Sequence, residues 1–169
     1  MQASAFNGLA VVSIAGGVKL GTIIEVLFDL TTFRLAALLI TSGDRQQFVV
    51  PFSAIHTIGP DAVMVPSDQS TQRYAAPFDG LARLDDVVKL KVVDEAGSVL
   101  GTVSGIEVDP ETREITAVQV HQGGMLGLGG TTTTIPAASI RGVDQLMVVA
   151  AEIGKSAAAE PVSAGERPA

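Results

Sequence analysis

Leu100-Gly101-Thr102-Val103-Ser104-Gly105-Ile106-Glu107-Val108-Asp109-Pro110-Glu111-Thr112-Arg113-Glu114-Ile115-Thr116-Ala117-Val118-Gln119-Val120 reads as strand, tight turn, strand. Both arms are rich in Val, Ile and Thr, which suit a pleated, half-buried surface. Asp109-Pro110-Glu111-Thr112 supplies the turn chemistry between them. An earlier stretch repeats the pattern: Leu20-Gly21-Thr22-Ile23-Ile24-Glu25-Val26-Leu27-Phe28-Asp29, then Thr32-Phe33-Arg34-Leu35-Ala36-Ala37-Leu38. Gly21 and Gly101 stand 80 residues apart, and Pro51 and Pro136 stand 85 apart, because the second copy has a longer glycine-rich loop. Self-similarity of this kind marks a duplicated unit.

The flanking sequence extends each copy. In the first, Leu9 to Ile14 is a short β-type run broken by Ala15-Gly16-Gly17, and Ser42-Gly43-Asp44-Arg45 turns the chain into a strand over Gln46 to Val50. Pro51 ends pairing because it has no amide donor, Ser53-Ala54-Ile55 forms a helical turn, and Ala62 to Val65 closes the unit. The second copy runs through a helical turn within Leu81 to Val87, then strands over Val88 to Val93, Val99 to Val108, Ile115 to His121, Thr132 to Ile135 and Leu146 to Ala150. Between the copies, Pro66, Ser67, Ser70, Pro77 and Gly80 lack hydrophobic rhythm and read as a linker. The expected organisation is therefore all-β: two tandem small β-barrels over 1–66 and 81–150, a linker over 67–80, and a disordered tail over 151–169.

Composition bounds the function. The 169 residues hold no cysteine, which removes disulfides, thiol catalysis and cysteine metal sites. Aromatic residues are few and Trp is absent, so the core is built from Val, Ile, Leu and Ala. No apolar run approaches the roughly 18 residues of a membrane span, and the N-terminus lacks the basic-then-apolar pattern of a secretory signal, so a cytoplasmic location is expected. The net charge of −7 is concentrated in the second copy, and neither copy carries a basic stripe. Direct nucleic-acid binding is thus disfavoured, whereas a basic protein partner suits an acidic surface.

Each candidate motif has a plain structural reading. Gly123-Gly124-Met125-Leu126-Gly127-Leu128-Gly129-Gly130 looks like a phosphate cradle, but a β-prone run, Thr131 to Ile135, follows it where a helix should begin. It reads as a hairpin loop whose Met125, Leu126 and Leu128 offer apolar interaction surface. His56 and His121 occupy unrelated repeat positions, so no metal site is expected. Asp29 and Asp109 precede turns and are expected to hold local amides rather than act as an acid–base pair. Ser53 and Ser139 follow the matched prolines with no base nearby, and are expected to cap the helical turns. Asp85-Asp86 and Glu107, Asp109, Glu111 and Glu114 form acidic surface.

With these residues in view, the chain resembles the PRC-barrel family, the small β-barrel found in the H subunit of purple-bacterial photosynthetic reaction centres and in the C-terminal domain of the ribosome maturation factor. Val99-Leu100-Gly101-Thr102-Val103, Val108-Asp109-Pro110-Glu111-Thr112, Gly123 to Gly129 and Ile135-Pro136 carry the resemblance in the second copy. Leu20-Gly21-Thr22-Ile23, Phe28-Asp29 and Val50-Pro51 carry it in the first. The resemblance implies a non-catalytic protein-interaction or assembly module, with no catalytic residue, cofactor or metal. A ribosome- or RNA-associated maturation factor is the alternative, and the acidic charge opposes it. A protein partner is expected; homo-oligomerisation and peripheral association with a membrane complex are both compatible with it.

Strand alternation locates an expected interface. In the second copy Ile106, Val108, Val118 and Val120 point inward, leaving Glu107 and Gln119 outside. In the first copy Val26, Phe28, Leu38 and Ile40 point inward, leaving Leu27 and Leu39 outside, with Ile23 assigned to the same face as Leu27. An aliphatic outer face calls for a cover, so Ile23, Leu27 and Leu39 are expected interaction residues, packed on the other barrel, a second subunit or a partner.

Overall fold

The computed structural model describes residues 1–124 and 129–152. The described residues form two sheets with almost no helix. The first contains β1 (Ala10–Ser13), β2 (Val18–Asp29), β3 (Arg34–Thr41), β4 (Gln47–Pro51), β5 (Thr57–Ile58), β6 (Ala62–Val65), β7 (Gln72–Arg73) and β8 (Ala82–Arg83). The second contains β9 (Lys91–Asp94), β10 (Val99–Val108), β11 (Ile115–Gln122), β12 (Thr131–Pro136), β13 (Ile140–Val143) and β14 (Leu146–Val149), preceded by a single helical turn, α1 (Leu84–Val87). Strand order is β5-β6-β1-β2-β3-β4-β7 in the first sheet, with β8 also pairing β2, and β12-β11-β10-β9-β14-β13 in the second. Both sheets share an antiparallel meander and one parallel pair, β1 with β6 and β9 with β14.

The matched glycines explain how closely the strands fold over one another. A Cβ on Gly21 would sit 2.7 Å from the Thr41 carbonyl oxygen, and one on Gly101 would collide with the carbonyl oxygen of His121. Thr41 and His121 are themselves repeat partners, so the two glycines hold equivalent places at the starts of the long hairpins. Gly101 also has φ of +141°, which side chains rarely adopt.

Matched irregularities shape the hairpins. Register shifts occur between Ile23 and Glu25 and between Val103 and Gly105. Each inserts one residue, Ile24 or Ser104, and an inserted residue exchanges the faces of the strand beyond it. That is why Ile23, four residues before Leu27, lies on the opposite face from it. Ile23 joins the main core with Val26, Phe28, Leu38 and Ile40, and Ile106, Val108, Val118 and Val120 join the same core from the second copy.

The two copies exchange their leading segments. Met1 donates to the Val108 carbonyl at 3.1 Å, the Val108 amide returns a bond to Met1 at 2.7 Å, and Gln2 bridges Glu107. The 3-10 turn Ala3–Phe6 then inserts Ala3 and Phe6, both fully buried, between the long strands of the two copies. Reciprocally, β8 of the second copy's leader pairs with Leu27 and Phe28 of the first, and α1 buries Leu84 and Val87. Phe6 meets Phe52 edge-on with ring centroids 5.8 Å apart. The result is one continuous core drawing on both copies.

Residues 67–80 connect the copies and also complete the first sheet. Gln72 and Arg73 pair antiparallel with Val49 and Phe48. Tyr74, Phe78 and Leu81 then lie over Leu27, Ala37, Leu39 and Val49, which form a second, separate buried cluster on the outer face.

A shared core should unfold as a unit. Scanning calorimetry is expected to show one transition, and Phe6→Ala should lower stability by about 3–5 kcal/mol without splitting it. Two resolved transitions would mean that the copies are energetically independent.

Candidate functional site

The expected interaction residues of the first copy are not at the surface. Ile23 is 1% exposed and belongs to the main core, because the bulge at Ile24 turns it inward. Leu27 and Leu39 do face outward but are fully buried beneath Tyr74, Phe78 and Leu81. The aliphatic face is therefore covered by the chain's own connecting segment. The signal for that cover was three apolar side chains at spacings of four and three, too irregular to stand out as a strand. Met125, Leu126 and Leu128 lie outside the described residues, as does the tail beyond Glu152.

The second copy has a different outer surface at the same positions. Leu27, Ala37 and Leu39 correspond to Glu107, Ala117 and Gln119, and Val49 corresponds to Thr134. Gln119 donates to the Glu107 carboxylate at 3.3 Å. His121 and Thr132 face each other one step along the same side, at 3.3 Å between Nδ1 and Oγ1. The edges differ as well. β4 is capped by β7, whereas β12, its repeat equivalent, pairs with β11 alone among the described residues. Thr131, Thr132 and Thr134 on that edge are exposed.

The turn acids hold backbone amides. Asp29 accepts from the Thr31 amide at 2.9 Å, and Asp109 accepts from Glu111 and Thr112 at 2.8 and 3.3 Å. Ser53 and Ser139 do not cap their helical turns. Pro51 and Pro136 occupy the preceding positions, and neither turn has a side-chain cap. Proline suits that place because its fixed φ leads into the turn and the missing amide needs no partner there. Among the described residues, no three His, Asp or Glu side chains converge as metal ligands.

Where the two long hairpins end, Thr32–Leu35 and Thr112–Ile115 line opposite sides of a shallow cleft of about 450 Å³, with Ala137 beside them. Because 112–115 repeat 32–35, the cleft is lined by equivalent segments of the two copies. Arg113 has φ of +63°, and its guanidinium bonds to the carbonyls of Phe52 and His56 at 3.3 and 3.1 Å. It thus fastens the second copy's hairpin tip to the first copy's helical turn, leaving Arg34 as the exposed cation of the cleft.

Among the described residues, Glu25 is the one perturbed carboxylate in the interior. It is 6% exposed, on the outer face where the second copy's leader crosses the first. Burial pushes its carboxyl above the ordinary value of 4.5, and Asp85 adds to the rise, while the amides of Val26 and Leu84 and the charge of Arg83 oppose it. Its repeat partner, Gly105, has no side chain to bury, and the amide side chains of Gln2 and Gln119 fill that space.

The family model for the PRC-barrel domain matches the chain twice, over residues 1–72 and 79–152. The chain therefore belongs to the PRC-barrel family and carries two tandem copies of the domain. A search of curated proteins finds no match to the sequence. No helix among the described residues is long and apolar enough to cross a membrane.

Glu25 makes stability depend on pH in a defined direction. Its folded-state carboxyl binds a proton more tightly than the unfolded one, so its favourable contribution is complete below the ordinary value of 4.5 and is lost as pH rises through the higher folded value. Glu25→Gln should melt higher than the parent at pH 7, and the difference should shrink toward pH 4. A difference that is constant across this range would mean that Glu25 titrates normally.

Proposed function

We propose that the chain is a cytoplasmic, non-catalytic protein-interaction or assembly module, in which the first copy is the scaffold and the second presents the contact surface. On this reading each sheet curls around its share of the core as a small barrel. The observation that carries the proposal is the contrast between equivalent surfaces. The first copy seals Leu27, Ala37, Leu39 and Val49, and the edge of β4, with its own chain. The second has half-buried Glu107 and Gln119 and exposed Thr134 at the matching places, with Gln2 beside them, and leaves the edge of β12 unpaired among the described residues. A polar face needs no apolar cover to be soluble, and polar, partly wet surfaces are normal in non-obligate contacts. The maturation-factor alternative would need a basic surface for RNA, and the net charge of −7 opposes it.

The test compares partner recovery by the full chain and by surface variants in extracts of the source cell. Thr132→Lys combined with Thr134→Lys, both exposed on β12, should lose the partner while melting within about 3 °C of the parent, as surface substitutions usually do. Lys19→Glu, on the first copy, should retain it. Equal recovery by all three proteins would overturn the assignment of the contact to the second copy. Turnover of a small substrate, abolished by one polar substitution, would overturn the non-catalytic reading.

A further inference from the structure

We propose that the second copy's leader, β8 with α1, is a pH-sensitive latch on the first copy, closed when Glu25 is protonated and loosened when it is ionised. The inference is independent of which surface meets a partner.

Each leader crosses the other copy's long strand at the same place, and the two crossings differ in what lies beneath. Gln2 bridges Glu107, and Arg83 pairs with Leu27, the repeat equivalent of Glu107. Beside the first crossing stands Gly105, and the nearest side chains over it are the neutral carboxamides of Gln2 and Gln119. Beside the second stands Glu25, the repeat equivalent of Gly105. Its carboxylate accepts from the Val26 amide at 3.0 Å and from the amide of Leu84, the first residue of α1. The same contact that docks the leader therefore keeps a titratable group out of water, and only one of the two leaders carries this load.

The surrounding charges do not neutralise Glu25. Asp85, exposed on α1, repels it, and Arg83 attracts it from an exposed position. Asp86 accepts instead from the Arg83 amide at 3.3 Å. β1 and the Ala3–Phe6 turn, which also pack on β2, carry no charge. On β3, which pairs Leu39 with Glu25, the single charge is Arg34, at the far end opposite Asp29. The connecting segment sets Tyr74, Phe78 and Leu81 over the neighbouring aliphatic cluster.

A buried carboxylate costs more ionised than protonated. Opening the latch returns Glu25 to water, so the closed form binds the proton more tightly than the open one. Closure is firm below the ordinary value of 4.5 and weakens as pH rises through the higher closed-form value. The leader is built to open locally: β8 is two residues long and α1 a single turn, anchored by Leu84 and Val87. Leu81 directly precedes β8, so a lifted leader also draws part of the cover from Leu27, Ala37, Leu39 and Val49.

Amide hydrogen exchange on the full chain between pH 4 and pH 7, with each rate corrected for the intrinsic pH dependence of exchange, tests the inference. Val88, whose amide closes α1 on the Leu84 carbonyl at 2.9 Å, reports the latch. Ala5, bonded to the Gln2 carbonyl at 3.0 Å in the other leader, is the internal control, and Val118 in β11 reports global opening. Protection at Val88 should be lost progressively as pH rises, with smaller changes at Ala5 and Val118. Glu25→Gln should abolish that loss, and Asp85→Asn should reduce it. Should Glu25→Gln fail to fold, Asp85→Asn, at an exposed position, carries the same comparison. Constant protection at Val88 would overturn the latch. Equal loss at Val88 and Val118 would mean that Glu25 acts on the whole fold, and would overturn it as well. Equal loss in the two leaders, or a loss that survives unchanged in the variants, would assign the dependence to other groups and do the same.

Discussion

The fold depends on the reciprocal exchange of leading segments. A unit of some 70–80 residues with few aromatic side chains buries a smaller share of its surface than a larger domain does. Laying Met1–Phe6 on the second copy's long strand, and Ala82–Val87 on the first's, joins two small cores into one. The join is geometrically demanding, because each leader must meet a strand already kinked by a bulge. The matched bulges at Ile24 and Ser104 supply that kink, and the carbonyl contacts beside Gly21 and Gly101 leave no room for a side chain where the hairpins close. Arg113, bonded across to Phe52 and His56, adds a polar fastening at the far end of the same contact.

Around that shared interior, the two copies have diverged on their outer faces. A carboxylate, Glu25, is buried where the second leader crosses, while a glycine, Gly105, stands at the matching place under Gln2. A duplicated unit keeps its interior because both copies need the same packing, and it is free to vary its exterior because only one copy must meet each outside demand. Burying Glu25 opposes stability at neutral pH, and the fold tolerates it because surrounding apolar packing is extensive.

Much of the fold was legible in the residues. The 80-residue offset, the turn chemistry at Asp109–Thr112 and the alternation of Val26, Phe28, Val118 and Val120 pointed to duplicated hairpins with the inward faces found. Three features escaped for physical reasons. A single-residue bulge leaves no mark in a run of apolar residues, since Ile23, Ile24 and Val26 are equally hydrophobic whichever way they point. The cover formed by Tyr74, Phe78 and Leu81 is a tertiary contact whose spacings of four and three do not show the alternation of a strand. The exchange of leaders is invisible to any local pattern, because it concerns which copy a short segment joins and not what shape it takes. The contrast between Leu27 and Leu39 on one side and Glu107 and Gln119 on the other was legible, but whether the aliphatic face was open or sealed was not.

The exchange has a consequence for how such a molecule can arise. Two separate single-copy chains could cross their leaders only by meeting, so their folded state would weaken on dilution. Joining them end to end makes the encounter intramolecular, at an effective concentration set by a connection of roughly a dozen residues. Symmetry then ceases to be an obligation. A change that suits one half no longer appears twice, and the segment that ties the halves together is itself available to become a structural part of only one of them.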